Sequence, residues 1–232
     1  MALTDPRQVT SGYYRNHLYV LLGLNVLATL ATLAGGDSRA LAPPLLAAFL
    51  SYAGSVLWLY EKPRAGIASL ALLSAVSLWG AWETNDWHGA ADAVTLALEA
   101  LDPLSSGLVL GFTMAAMFLG HWYLNSPTMA MGPLVRLVVM LGGVVCLRAA
   151  VEAAALALYL RTAAPGTDQL LFIALRWLSG IIGAFVLVVM AYKTLKIPNT
   201  QSATGILYVC VIVTFLGELV SLLLAAESSR PM

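Results

Sequence analysis

Seven apolar runs, each close to 20 residues or longer, constrain this chain more than any other feature. A helix of about 20 residues spans the hydrocarbon core of a bilayer, because each residue adds about 1.5 Å of length. None of the runs alternates apolar and polar residues as the strands of a membrane β-barrel do. The sequence therefore predicts an all-α bundle of seven transmembrane helices, forming a single domain over residues 1–232. The runs cover residues 17–34, 41–60, 65–82, 104–124, 133–160, 168–195 and 203–226.

The composition fits a membrane protein. The chain is 60% hydrophobic and 10% charged, with a mean hydropathy of +0.84, whereas a soluble domain carries about 25% charged residues. Its formal net charge is +0, so the chain lacks the excess of basic residues that nucleic-acid-binding proteins carry. The expected partners are therefore membrane lipid and further membrane or peripheral subunits, with no nucleic acid. The alanine- and leucine-rich, lysine-poor composition indicates the inner membrane of a bacterium.

The basic residues predict the orientation of the chain. Lysine and arginine concentrate in the cytoplasmic loops of membrane proteins. With the N-terminus inside, the cytoplasmic segments hold seven of these residues and the outer segments three, so we expect a cytoplasmic N-terminus and an outer C-terminus. The inner set is Arg7, Arg15, Lys62, Arg64, Arg136, Lys193 and Lys196, and the outer set is Arg39, Arg161 and Arg230.

One connection is long and acidic. Residues 83–103 carry five acidic residues and no lysine or arginine. Val94, Leu98 and Leu101 recur at helical spacing, which favours a short amphipathic helix lying along the outer surface. The segment is interpreted either as a solvated connector or as a docking face for a basic partner or a cation.

Four ionisable residues lie inside the apolar runs, where charge is costly and marks the bundle interior. Glu152, Arg176 and Glu218 each lie eight residues from the outer end of their run, which corresponds to a depth of about 12 Å. Arg148 precedes Glu152 by one helical turn and shares its face. Neighbouring glycine, alanine and serine residues favour close helix packing. We therefore expect a neutral buried cluster of Arg148, Glu152, Arg176 and Glu218.

This cluster has two interpretations. It could act as a salt-bridge network that fixes helix packing, or as a proton relay or polar binding site open to the outer side. Arginine holds carboxylates ionised, so the sequence favours an anionic group or a quinone-like oxygen bound by charge-assisted hydrogen bonds.

A second set of polar residues is predicted at the cytoplasmic end. His121 and Trp122 lie in "HWYLNSP" and His17 in "YYRNHLYV". Two histidines at one level, with bases nearby, are what a b-type haem requires, and a quinone is an alternative ligand. His121 could equally belong to an aromatic belt at the interface. The inner-side candidates are His17, His121, Trp122, Asn125, Arg136, Lys193, Asn199 and Gln201.

No sequence motif of this chain identifies a reaction. The sequence has no phosphate-binding loop, no GxSxG and no HExxH, and its last run lacks the lysine of a retinal protein. Any catalysis would belong to a larger oxidoreductase. Three functions remain open: an electron-transfer or respiratory membrane subunit that binds quinone or haem b, a small anion or proton carrier or channel, and a structural or assembly protein.

Overall fold

The computed structural model describes residues 1, 3–36, 39–84, 93–126, 129–162, 164–197 and 199–228. These residues form helices and short connections, with no strand among them. The chain divides into two compact units, Met1–Asp86 and Trp87–Met232. The single-domain organisation and the side of the membrane on which each terminus lies stay predictions.

The first unit contains three long helices. They are α1 (Ser11–Gly35), α2 (Ala42–Leu59) and α3 (Pro63–Glu83), with a 3₁₀ turn at Arg39–Leu41 before α2. Helix α2 contacts both α1 and α3. Its Trp58 packs against Gly66 of α3, where an added Cβ would come within 2.6 Å of the indole ring.

The second unit contains four spans. Helices α4 (Ala93–Asn125) and α5 (Gly132–Thr162) form the first two. The third is built from α6 (Thr167–Arg176), a π-helical segment (Trp177–Gly183) and α7 (Ala184–Lys196), and the fourth is α8 (Thr200–Ser228). Helix α4 contacts α5 and α8, and α7 contacts the same two helices, so the four spans close into a ring.

The prediction of seven membrane helices is confirmed. Across the described ranges, seven helices are long and apolar enough to span a bilayer, with Thr167–Lys196 counted as one span. The chain is a multi-pass membrane protein with an all-α fold.

The predicted extent of the acidic connection is wrong. Val94, Leu98 and Leu101 are helical, as their spacing indicated, but they belong to α4 rather than to a separate surface helix. Pro103 lies inside α4; a membrane helix tolerates proline where neighbouring side chains satisfy the freed backbone. Residues 93–103 of the predicted connection therefore belong to α4, and residues 85–92 lie outside the described part of the chain.

Candidate functional site

Helix α5 supplies the centre of a polar network in the second unit. Arg148 and Glu152 are one turn apart, and Arg148 Nη2 lies 2.8 Å from Glu152 Oε1. Their side chains are 3% and 2% exposed, so almost no water reaches them. A buried charge in a membrane bundle requires such a partner, because an unpaired one is costly. The predicted burial of this pair is confirmed.

Helix α8 brings a second carboxylate to the same guanidinium. Arg148 donates from Nε to Glu218 Oε1 at 3.0 Å and from Nη2 to Glu218 Oε2 at 2.8 Å. This bidentate geometry holds the planar fork of arginine in one orientation. Glu218 Oε2 also accepts a hydrogen bond from Ser106 of α4 at 2.6 Å. One glutamate therefore connects three helices.

Helix α4 binds the remaining nitrogen of Arg148. Arg148 Nη1 donates to Asp102 Oδ1 at 2.7 Å, to the Asp102 carbonyl at 3.2 Å and to Ser105 Oγ at 3.0 Å. Asp102 is 33% exposed at its side chain, which makes it much more accessible than the two glutamates. The three nitrogens of Arg148 thus serve four residues on three helices.

Arg176 completes the network through Glu152. Its Nη2 binds Glu152 Oε1, the atom that also forms the ion pair with Arg148 Nη2. Arg176 is buried, and the next buried residue of its span is Ile181, five positions later. This interval of five matches the i to i+5 hydrogen-bonding interval of the π-helical segment that joins them. The π segment therefore keeps Arg176 on the same inward face as Ile181 and the buried residues of α7. Those residues are Ala184, Val188, Ala191 and Leu195.

Two glycines set the distance between α8 and the π segment. A Cβ built on Gly217 would lie 2.3 Å from Gly180 Cα, and one built on Gly180 would lie 2.8 Å from Gly217 Cα. The two backbones therefore touch. Gly217 adjoins Glu218, and Gly180 lies one turn after Arg176. The small residues expected at this helix interface allow both charged side chains to reach the same network.

The structure adds one carboxylate to the four residues expected from the sequence, which by themselves carry two charges of each sign. Among the described residues, the ion pairs connect Arg148 and Arg176 to Asp102, Glu152 and Glu218, which are three carboxylates for two guanidiniums. The formal charge of the connected network is −1 when every member is ionised, not zero. Asp102 was placed in the acidic connection because hydropathy falls before residue 104. Its spacing of three and four residues from Ser105 and Ser106 was the signal of an inward polar face.

The network can hold a proton, orient helices or bind a small polar ligand. Comparison with protein-family models, curated proteins and solved structures finds no match. The function of the network therefore has to be inferred from its own residues.

At the other end of the second unit, the structure pairs His121 with a residue that the sequence did not single out. His121 Nδ1 lies 3.2 Å from the Tyr208 hydroxyl of α8, and both residues are exposed on the helix surface. Nearby, Gly120 packs against Thr204, where a Cβ would come within 2.7 Å of Thr204 Oγ1. The close crossing of α4 and α8 places the histidine and the tyrosine side by side.

The remaining inner-side candidates do not form one site. Asn199 caps α8, since its Oδ1 accepts from the Ser202 backbone N–H at 2.9 Å. Trp122 is half-buried. In the described part of the second unit, no hydrogen bond or ion pair joins the exposed candidates to His121. These exposed candidates are Asn125, Arg136, Lys193, Asn199 and Gln201.

His17 lies in the first unit, whereas His121 lies in the second. His17 is buried, its Nδ1 is 3.4 Å from the Tyr13 carbonyl, and its ring meets the Tyr13 ring edge-on with centroids 4.6 Å apart. Joint ligation of a haem by the two histidines stays a prediction.

Proposed function

We propose that this protein moves protons across a cell membrane, alone or coupled to another solute, and that the Arg148 network is its proton-binding site. The observation that carries the proposal is that the described network has one carboxylate more than it has guanidiniums. Two guanidiniums face three acidic side chains in a region where net charge is costly. Uptake of one proton changes the formal charge of the network from −1 to zero. Burial of the network therefore favours the protonated state.

The occupied guanidinium argues against an anion as the ligand. Arg148 has five N–H groups, and its three nitrogens already face Asp102, Ser105, Glu152 and Glu218 within 3.2 Å. An added anion would have to displace an internal carboxylate and would raise the negative charge further. A proton requires neither change.

Asp102 is the member at which the proton enters. Its side chain is 33% exposed, compared with 14% for Glu218 and 2% for Glu152. Its described ion pair is with one nitrogen of one guanidinium. Glu218 is gripped at both oxygens, and Glu152 binds both arginines. Each glutamate therefore makes more ion-pair contacts than Asp102 does, and we assign the proton to Asp102 for that reason.

Protonation of Asp102 alters the contact between α4 and α5. The ionised carboxylate attracts Arg148 Nη1, and the neutral acid keeps only a weaker hydrogen bond. The Ser106–Glu218 contact still ties α4 to α8. The coupling is electrostatic and requires no other ligand.

A flux assay tests the proposal. The purified full-length protein is reconstituted into vesicles that contain a pH-sensitive dye, and a potassium diffusion potential is imposed with valinomycin. We expect wild-type vesicles to take up protons, and Asp102→Asn to slow the flux about tenfold or more. Asp168→Asn is the matched control, because Asp168 is exposed in the first turn of α6. Wild-type flux no greater than that of empty vesicles would refute proton transport.

An infrared titration separates the proton site from the transport step. The difference spectrum between acidic and alkaline buffer should contain C=O stretches from every carboxyl group that takes up a proton, and Asp102→Asn should remove one component whose frequency differs from that of the exposed groups. Asp168→Asn should retain it. A spectrum that is identical in wild type and Asp102→Asn would show that Asp102 does not take up the proton.

A second candidate function is electron transfer, as the membrane subunit of a respiratory-type assembly with quinone as its ligand. It is favoured by the exposed His121–Tyr208 pair. The ring nitrogen and the hydroxyl of this pair could bind a carbonyl oxygen of a quinone that diffuses in the lipid. A photoreactive quinone analogue should label wild type, and Tyr208→Phe should reduce the labelling. A reduced-minus-oxidised absorption spectrum tests haem b, because ligation of iron by His17 and His121 would give a Soret band.

A further inference from the structure

The first unit has a cavity of about 220 Å³ that is lined by all three of its helices. Helix α1 contributes Ala28, α2 contributes Ala47, and α3 contributes Gly80 and Ala81. The space exists because small residues meet there. Among the described residues that line the cavity, none carries a charge.

Asn25 of α1 lines this cavity with a side chain whose hydrogen-bonding capacity is only partly used. Its Nδ2 donates to the Leu21 carbonyl at 2.8 Å. A carboxamide has a second N–H and an acceptor oxygen, and neither has a partner in the described part of the chain. Asn25 precedes the end of α1 by ten residues, or about 15 Å. The unused groups therefore lie well inside a membrane span.

Ser77 of α3 lines the same cavity. On the same helix, Ser69 donates to the Gly66 carbonyl at 2.7 Å and Ser74 to the Leu70 carbonyl at 2.9 Å. Hydroxyls in membrane helices commonly find an acceptor in this way. Ser77 makes no such hydrogen bond to a described residue, although it lies six residues, or about 9 Å, before the end of α3.

Two polar side chains on two helices thus line one space at membrane depth. Hydrocarbon offers no hydrogen-bond partner, so unsatisfied polar groups are costly there. The cavity extends to Thr32 and Thr84, near the ends of α1 and α3, so it can be reached from the membrane surface. Mostly apolar walls with a few polar groups are the usual form of a small-molecule site.

The residues define the chemistry of a ligand. It must be neutral, because no charge in the described lining compensates an ion. It must also both accept and donate, since Asn25 offers an N–H and a carbonyl oxygen and Ser77 offers a hydroxyl. One hydroxyl group on the ligand does both. The rest of the ligand must be apolar, because the groups at Asn25 and Ser77 lie within the spans and are surrounded by alanine and proline. A dissolved polyol lacks such an apolar part.

We propose that this cavity binds the hydroxyl-bearing end of a neutral lipid, such as a diacylglycerol, through Asn25 and Ser77. The cavity of about 220 Å³ is smaller than the roughly 300–1,000 Å³ of sites that enclose a whole drug-sized ligand. It therefore holds the polar end of the lipid and leaves the acyl chains in the bilayer. The site uses only residues of the first unit and is distinct from the Arg148 network in residues and in chemistry.

Native mass spectrometry of the full-length protein in detergent tests the proposal. Wild type should retain added diacylglycerol about tenfold better than the same lipid with its hydroxyl converted to a methyl ether. Asn25→Leu should weaken retention about tenfold and Ser77→Ala about threefold. Ser74→Ala is the matched control on α3, because its hydroxyl is bonded to its own helix and it does not line the cavity. It should retain the lipid as wild type does.

A second variant blocks the space without removing a polar group. Ala28 is exposed and lines the cavity, so Ala28→Leu should fold and should also weaken retention. The proposal is overturned if wild type retains the lipid no better than its methyl ether, which is the result expected of a cavity filled by water. It is also overturned if Asn25→Leu and Ala28→Leu both bind as tightly as wild type. Displacement of the lipid by excess glycerol would overturn the assignment to a lipid.

Discussion

Arg148 and Glu218 form a two-point ion pair between α5 and α8, with Nε to Oε1 at 3.0 Å and Nη2 to Oε2 at 2.8 Å. The pair joins helices that are 70 residues apart along the chain at these positions. Each partner also contacts α4, through Ser105 for the arginine and Ser106 for the glutamate. The packing of α4, α5 and α8 against one another therefore depends on the orientation of the Arg148 guanidinium.

Replacing Glu218 with glutamine should destabilise the second unit. The change removes the two-point ion pair that holds α5 to α8, and we expect a loss of about 2–3 kcal/mol. That is somewhat below the usual cost of breaking a buried pair, because glutamine keeps one acceptor oxygen. Thermal unfolding in detergent measures the loss. Glu83→Gln, at an exposed glutamate of the first unit, should leave the unfolding midpoint unchanged.

A double change tests whether Arg148 and Glu218 act through their mutual ion pair. Arg148→Met combined with Glu218→Gln removes the pair once, so the double variant should lose less stability than the sum of the two single losses. Losses that add fully would show that the two side chains contribute independently.

Arg148→Lys should not be a conservative substitution. Three different nitrogens of Arg148 bind Glu218, Glu152 and Asp102, whereas lysine presents all its donors at one nitrogen. We expect a loss of about 2 kcal/mol or more, measured by the same thermal unfolding. Arg136→Lys, at the exposed start of α5, should be neutral. Equal stability of Arg148→Lys and wild type would show that the fork geometry is unimportant.

Gly217→Ala should push α8 away from the π segment, because its Cβ would lie 2.3 Å from Gly180 Cα. Overpacking of this kind costs about 1–3 kcal/mol. It should also weaken the Arg176 and Glu218 contacts, so proton uptake should fall together with stability. Gly205→Ala is the control on the same helix, since nothing lies within 4 Å of its added Cβ. A Gly217→Ala variant as stable as Gly205→Ala would contradict the close backbone contact.

The orientation predicted from the basic residues can be tested with introduced cysteines. The native Cys146 and Cys210 both lie within membrane helices. In intact cells, a membrane-impermeant maleimide should label Ala164→Cys between α5 and α6 and should not label Asn199→Cys before α8. After the membrane is permeabilised, both should react. The reverse pattern would place the N-terminus outside.

The sequence predicted the spans and most of the network for a physical reason. Charged residues are rare in lipid, so Arg148, Glu152, Arg176 and Glu218 stood out against an apolar background. Counting residues from the ends of the runs placed three of them at one depth, and their contacts in the structure confirm that alignment.

The sequence could not predict the rest of the network, because those features depend on tertiary contacts. Hydropathy ends a span at acidic residues, so Asp102 was assigned to a loop although Arg148 satisfies it inside α4. Tyr208 carries no distinguishing pattern, and its proximity to His121 depends on the crossing of α4 and α8.

Because of the π-helical segment at Trp177–Gly183, the sixth span can lose one residue within that segment and keep the same side chains facing inward. A π turn accommodates one residue more than an α-helical path. Deletion of Leu178, which is 64% exposed, would bring Arg176 and Ile181 to an α-helical spacing of four and leave both facing inward. Deletion of Val186, which is 49% exposed in α7, would instead rotate Arg176 by about 100° relative to the buried residues that follow. Homologous chains of different length in this span should therefore differ inside the π segment, and the shorter ones should have a continuous α-helix there.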